Sequence, residues 1–204
     1  MASTRETAVI DLFNEDVDKL MTRLEKLVDN GESTRAGNVF ADEMAGFISR
    51  YHVAAFMSAA DNDTPTEDQS AALVDIINEQ SDFAFKFAEE IKGAAKGDWN
   101  GAWNTRARLY TRATRQSYQA GKVFDIWDLL PASPGDCSTV CCNNCDCRWD
   151  VRKMRGTGNY NCYWKLGAVE KHCPNCLARA AEWKPLQIRN GEVQGDVSAE
   201  ELFG

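Results

Sequence analysis

No apolar run in the 204 residues approaches the ~18–20 residues needed to cross a bilayer. The opening stretch, residues 1–20, is charged throughout and lacks the apolar core of a signal peptide. These absences lead us to expect a soluble chain made in a reducing cytoplasm, with no membrane partner. Histidine is scarce: there are only two, His52 and His172. There is no G-x-S-x-G elbow, no phosphate-binding glycine loop and no H-E-x-x-H. His52 stands beside Tyr51 on a helical stretch with no motif around it, and reads as a packing or surface residue rather than a base. We expect no enzyme. Cysteine is absent before residue 137, yet eight follow within 40 residues, at 137, 141, 142, 145, 147, 162, 173 and 176.

Charge is divided as unevenly as cysteine. The formal net charge is −8 with a pI near 4.9, which argues against a surface that binds nucleic acid or anionic membrane all over. Residues 1–97 carry 19 acidic and 9 basic side chains, and residues 98–204 carry 12 and 14.

The acidic part reads as helices. Val9, Leu12, Phe13, Val17, Leu20, Leu24, Leu27 and Val28 recur at three- and four-residue steps and end at Asn30-Gly31. Ser33 can cap a second helix with the stripe Phe40, Met44, Phe47, Ile48, Tyr51 and Ala55, which runs out in the turn formers of residues 61–65. Thr66-x-x-Gln69 suits a capping box for a third, carrying Leu73, Ile76, Ile77, Phe83, Phe87 and Ile91 to about Lys96. A fourth runs from about Ala102 to Ala120, with Gly121 as its stop. It bears Arg106, Arg108, Arg112 and Arg115, which face either acidic neighbours or a nucleic acid.

Pro131 and Pro134 mark the boundary to the cysteine-rich stretch. Cys142-Asn143-Asn144-Cys145 and Cys173-Pro174-Asn175-Cys176 are two C-x₂-C pairs with 27 residues between them. A knuckle turn points both sulfurs of such a pair at one tetrahedral ion, and two pairs together are a zinc signature. Trp149 and Val151, then Tyr160, Cys162, Trp164 and Leu166, alternate with polar residues around Gly156-Thr157-Gly158-Asn159, as in a β-hairpin. A hairpin returns its second strand to the start of its first, so it brings the knuckles together. The expected ligands are Cys142, Cys145, Cys173 and Cys176, with Cys141, Cys147 and His172 as alternates. Cys162 shares a strand face with Trp164 and reads as a small core residue. Residues 177–183 suit a short helix stopped by Pro185. A four-cysteine site is closed, whereas catalytic zinc keeps an open position, so the expected Zn²⁺ is structural. Disulfides, and a redox role for Cys173-Pro174-Asn175-Cys176, are the other readings of these thiols.

The expectation is therefore mainly α with a small β part: a helical bundle or arm over residues 1–130, a zinc-stabilised hairpin/knuckle module with a short C-terminal helix over 131–186, and a tail over 187–204. Trp149, Tyr163 and Trp183 serve either as contact anchors or as the module's own core.

The module resembles the C-terminal region of tailed-bacteriophage minor head proteins, the phage Mu-type head morphogenesis family and its relatives. The resemblance is carried by Pro134-Gly135-Asp136, Cys142-x₂-Cys145-x-Cys147-x-Trp149, and Trp164-x-Leu166-Gly167 running into Glu170-x-His172-Cys173-x₂-Cys176. Ala107-Arg108-Leu109-Tyr110 and Ser117-Tyr118-x-Ala120-Gly121 are similar too. It covers the last third well and the helices loosely; Cys137, Cys141 and Cys162 fit no part of its pattern. It implies a virion component, made in the host cytoplasm, whose partners are portal, major capsid or neck proteins. A zinc-ribbon regulator binding nucleic acid is the alternative, since residues 99–186 hold 13 basic and 7 acidic side chains.

Overall fold

The computed structural model describes residues 4–60, 67–135, 138–141 and 145–194. Helices α1 (Thr4–Asp29), α2 (Ser33–Ala60), α3 (Glu67–Lys92) and α4 (Ala102–Lys122) are followed by a 3₁₀ turn, Phe124–Leu129. Strands β1 (Arg148–Lys153) and β2 (Tyr160–Lys165), helix α5 (Pro174–Glu182), and strands β3 (Leu186–Arg189) and β4 (Glu192–Gln194) complete the chain. The fold is mainly helical with one small antiparallel sheet in the order β1-β2-β3-β4. Among the described residues, no helix is long and apolar enough to cross a membrane.

The apolar stripes meet as their spacing dictates. Phe13, Val17, Leu20, Leu24 and Val28 of α1 close on Phe40, Met44 and Ile48 of α2, Phe87 and Ile91 of α3, and Ala107 and Tyr110 of α4. Two stripe members fall outside: Leu12 is 55% and Phe83 40% exposed. Leu12 lies about 100° round α1 from Phe13 and Phe83 about 40° round α3 from Phe87, both at the edge of the buried arc, and a stripe read from sequence is wide enough to include both. The third helix ends at Lys92, not Lys96, and Thr66 of the expected capping box lies outside the described residues. Gly121 does not stop α4. It lies one residue inside the helix end, where an added Cβ would collide with the carbonyl oxygen of Phe56. The glycine sets how closely α4 approaches α2.

Three of the four arginines of α4 meet carboxylates. Arg106 reaches Glu90 at 2.6 Å, and Arg108 holds Asp18 with two bonds of 3.0 and 2.8 Å. Arg115 pairs with Asp146 and lies 3.7 Å from Glu6. Arg112 is exposed. Three of the four are thus spent on carboxylates, which leaves little of this cluster for a phosphate backbone.

The sheet has one apolar face. Trp149, Tyr160, Cys162, Trp164, Leu186 and Ile188 pack with Trp183 of the segment after α5, and with Val123 and Ile126 of the linking turn. The hairpin register pairs Trp149 with Trp164 and Val151 with Cys162. Residues 187–194, expected in a tail, instead form β3 and β4. Cys162 pairs with Leu186 and Tyr160 with Ile188 across β2 and β3. Asn190 and Gly191, at φ 53° and 81°, make the left-handed two-residue turn that antiparallel hairpins favour.

His52 is wholly buried, its Nδ1 2.7 Å from the Ser117 hydroxyl. Burial pulls its pKa down to about 4, below the ~6.5 of an unfolded histidine. The unfolded chain therefore binds the extra proton first. Stability from this site is intact above pH ~6.5 and is lost as pH falls toward the folded value. We expect acid to remove about 3 kcal/mol between pH 7 and pH 4. Urea titrations of wild type and His52→Gln test this: the difference between them should shrink by that amount over the interval, and parallel curves would reject it.

Candidate metal centre

Three short segments deliver the thiols. The turn over residues 138–141 places Cys141, whose Sγ lies 3.0 Å from the Thr139 hydroxyl. The approach to β1 places Cys145 and Cys147. The third segment is the start of α5: Cys173 is its N-cap, Pro174 opens the first turn, and the Cys176 N–H reaches the Cys173 sulfur at 3.4 Å. The helix begins at Pro174 rather than after Cys176, so the second knuckle is itself the helix N-terminus. Its free amides and dipole favour thiolate over thiol there.

The sulfurs converge. Cys141 Sγ lies 3.6 Å from Cys173 Sγ and 3.8 Å from Cys176 Sγ, and Cys145 Sγ lies 3.7 Å from Cys176 Sγ. Cys141, Cys145 and Cys176 all fall within 4.8 Å of one another. Four thiolates around a tetrahedral ion, at metal–sulfur distances of about 2.3 Å, stand about 3.8 Å apart. The donors fit a thiophilic metal ion, and the same distances are far too long for sulfur–sulfur bonds. All six described cysteines are free thiols.

Of the four ligands expected from sequence, Cys145, Cys173 and Cys176 come together, and Cys142 lies outside the described residues, as does Cys137. Cys141 stands in the cluster instead. Cys147 is a fifth thiol nearby, lining a crevice with Cys145, and the Cys145 and Cys176 thiols and the Gly167 backbone favour its charged form. His172 is half-buried and acts on Cys147 electrostatically. Cys162 is apart, buried in the sheet core, where burial pushes its thiol up to about 11.

Crowding divides the protons unequally. The hydrogen bond from Cys145 holds Cys147 down to about 5, and the same bond, with burial, pushes Cys145 well up. Burial first, then the neighbouring thiols, raises Cys176. Burial also works against charge at Cys173, but the Cys176 N–H and the adjacent thiols outweigh it and lower the group. Several thiolates cannot share so small a volume without a cation, and a metal ion supplies that charge by displacing protons.

Sequence reasoning missed two supports. Arg179, one turn after Cys176, is 2% exposed. Its guanidinium lies over Trp164 and Trp183 at 5.2 and 5.4 Å and donates to the Ser138 hydroxyl and carbonyl at 3.1 and 3.2 Å. It ties the Cys141 turn to α5. The available signal was its i+3 spacing from Cys176 in a short, alanine-rich helix. The second is Gly167, where a Cβ would come within 2.5 Å of the Asp146 carbonyl. This lets the strand exit press on the residue between Cys145 and Cys147, and Asp146 in turn pairs with Arg115 of α4. Trp149 and Trp183, stacked at 5.3 Å and buried, are core; only Tyr163 of the three candidate anchors remains partly on the surface.

No family model, curated protein or solved structure matches the chain.

Replacing Arg179 by Met keeps the packing stem and removes the fork that holds Ser138. Chelator competition on the metal-loaded protein should show affinity reduced about 10- to 100-fold, the usual range for an outer-shell partner, with helical circular dichroism unchanged. Arg179→Lys, which keeps the charge without the fork, should fall between. Equal affinity in all three proteins would remove Arg179 from the site.

Proposed function

We propose that the chain is a structural protein that works by contact with other proteins, a minor head component of a tailed-phage particle, in which one Zn²⁺ on Cys141, Cys145, Cys173 and Cys176 closes the C-terminal module. The observation that carries the zinc reading is the convergence of the Cys141, Cys145 and Cys176 sulfurs within 4.8 Å of one another, with Cys173 Sγ 3.6 Å from Cys141 Sγ. Zinc suits an all-thiolate tetrahedral set with no open position, and in such a site the metal supplies folding energy rather than chemistry. The virion reading is supported by the likeness of the cysteine module and its flanking tryptophans to phage minor head proteins. Portal, major capsid and neck proteins are the partners it implies.

Native mass spectrometry with elemental analysis, on protein purified without chelator, should find one zinc per chain. Cys145→Ser or Cys173→Ser should lose it and unfold the C-terminal third while α1–α4 stay helical. Cys141→Ser should lose it too, and Cys147→Ser should retain it; the reverse pair of results would overturn the ligand assignment. A metal-free chain with cysteines paired by mass would overturn the zinc reading as a whole. The particle assignment has its own test: proteomics of density-banded particles from the producing host should detect the chain at low copy number, and its absence from that band would reject it.

A further inference from the structure

The sheet has a second face, and its chemistry differs from the rest of the molecule. Side chains alternate across a strand, so burying Trp149, Cys162, Trp164 and Ile188 turns Arg148, Arg152, Tyr163, Lys165 and Arg189 to the opposite side. None of these five is buried. Tyr163 stands on β2, an inner strand, opposite Asp150 in the register. The Arg152 guanidinium lies 4.6 Å and the Lys165 ammonium 5.0 Å from its ring centroid. The face thus presents an aromatic ring flanked by two cations, with Arg148 facing Lys165 across the hairpin and Arg189 one strand further on.

Two anions share this face. Asp150 takes a 2.8 Å bond from Arg152, and Glu192 lies opposite Arg189 in the β3–β4 register. Four cations against two anions leave the face positive, on a chain whose first 97 residues carry 19 acidic and 9 basic side chains. A polyanion approaching this protein is repelled by the helices and drawn to the sheet. The α4 arginines do not compete, since three of them are already paired with carboxylates.

We infer that this outer sheet face is a binding site for single-stranded nucleic acid, with Tyr163 as the stacking platform and Arg148, Arg152 and Lys165 as the phosphate contacts. The Arg189 guanidinium is held by the Tyr160 and Ile188 carbonyls and the Asn161 and Gln187 side chains and adds only its charge. Single strands are favoured over duplex because only an unpaired strand can splay a base onto a ring on a sheet face. Tyr163 is half-buried and Arg152 and Lys165 lie over its ring, so a stacking base displaces these side chains toward the phosphates on either side of it. Stacking is tolerant of base identity, so the site reads strand and charge rather than sequence. The inference is independent of the phage reading: a virion protein and a regulator would bind through the same face.

The test is fluorescence anisotropy of a labelled single-stranded oligothymidylate titrated with the full metal-loaded chain, repeated over a salt series. Binding should weaken with salt at a log–log slope of about −0.7 per phosphate contact. Tyr163→Ala should lose roughly 5- to 100-fold in affinity, the range for one base–aromatic stack, and Tyr163→Phe should keep the wild-type value. Lys165→Gln should reduce both affinity and salt slope. Metal content and circular dichroism, measured on each variant, confirm that the fold is intact. Three results would overturn the inference. The first is no binding at low salt, and the second is an unchanged affinity in Tyr163→Ala. The third is equal binding of duplex DNA or polyglutamate, which would mark the face as a charge patch suited to an acidic protein.

Discussion

Crowding of thiols is the constraint around which the C-terminal half is organised. Cys141, Cys145 and Cys176 lie within 4.8 Å of one another and Cys173 Sγ lies 3.6 Å from Cys141 Sγ, and at that range charged sulfurs would repel strongly. The chain does not avoid this; it assembles it from three segments and reinforces each. Arg179 fastens the Cys141 turn, the first turn of α5 presents Cys173 and Cys176, and Gly167 presses against the residue between Cys145 and Cys147. Such an arrangement suits a compensating cation, which these cysteines could hold. The three tryptophans Trp149, Trp164 and Trp183 pack against one another as the small core of the module.

That core does not stand alone. The 3₁₀ turn contributes Val123 and Ile126 to it, while Phe124 and Trp127 pack toward Phe56 and Leu73 of the helices. With the Arg115–Asp146 ion pair, this makes α4 the common wall of bundle and module. The positive sheet face is turned away from the tryptophan core, so contact there need not disturb the cysteine cluster.

The helices were legible because one face of each repeats at helical spacing and the breaks carry strong turn formers. What the spacing could not separate was the edge of a stripe from its centre, hence Leu12 and Phe83. The hairpin was legible from alternation around a glycine-bearing loop. Strands β3 and β4 were missed because four and three residues are too few for a period to declare itself, although Asn190-Gly191 between them is a recognisable hairpin signal. For the metal centre, spacing identified three of the converging cysteines. It could not decide among Cys141, Cys142 and Cys147, because adjacent residues in an irregular segment point in directions that only the folded backbone determines. Arg179 was invisible for a different reason: its role depends on Ser138, 41 residues away.

The burial of α4 has a consequence for how the molecule assembles. From Ala113 to Gly121 every residue but Arg115 is buried, and part of the cover is the cysteine segment, since Gln116 and Gln119 line a crevice with Pro134, Cys145 and Cys147. During synthesis the helices emerge first and can pair with their sequence neighbours at once. The far side of α4 then stays bare until the later residues arrive and pack on it. The pace at which the cysteine segment folds thus sets how long a newly made chain displays a sticky surface, and a chain cut short before that segment would be half folded and prone to aggregate.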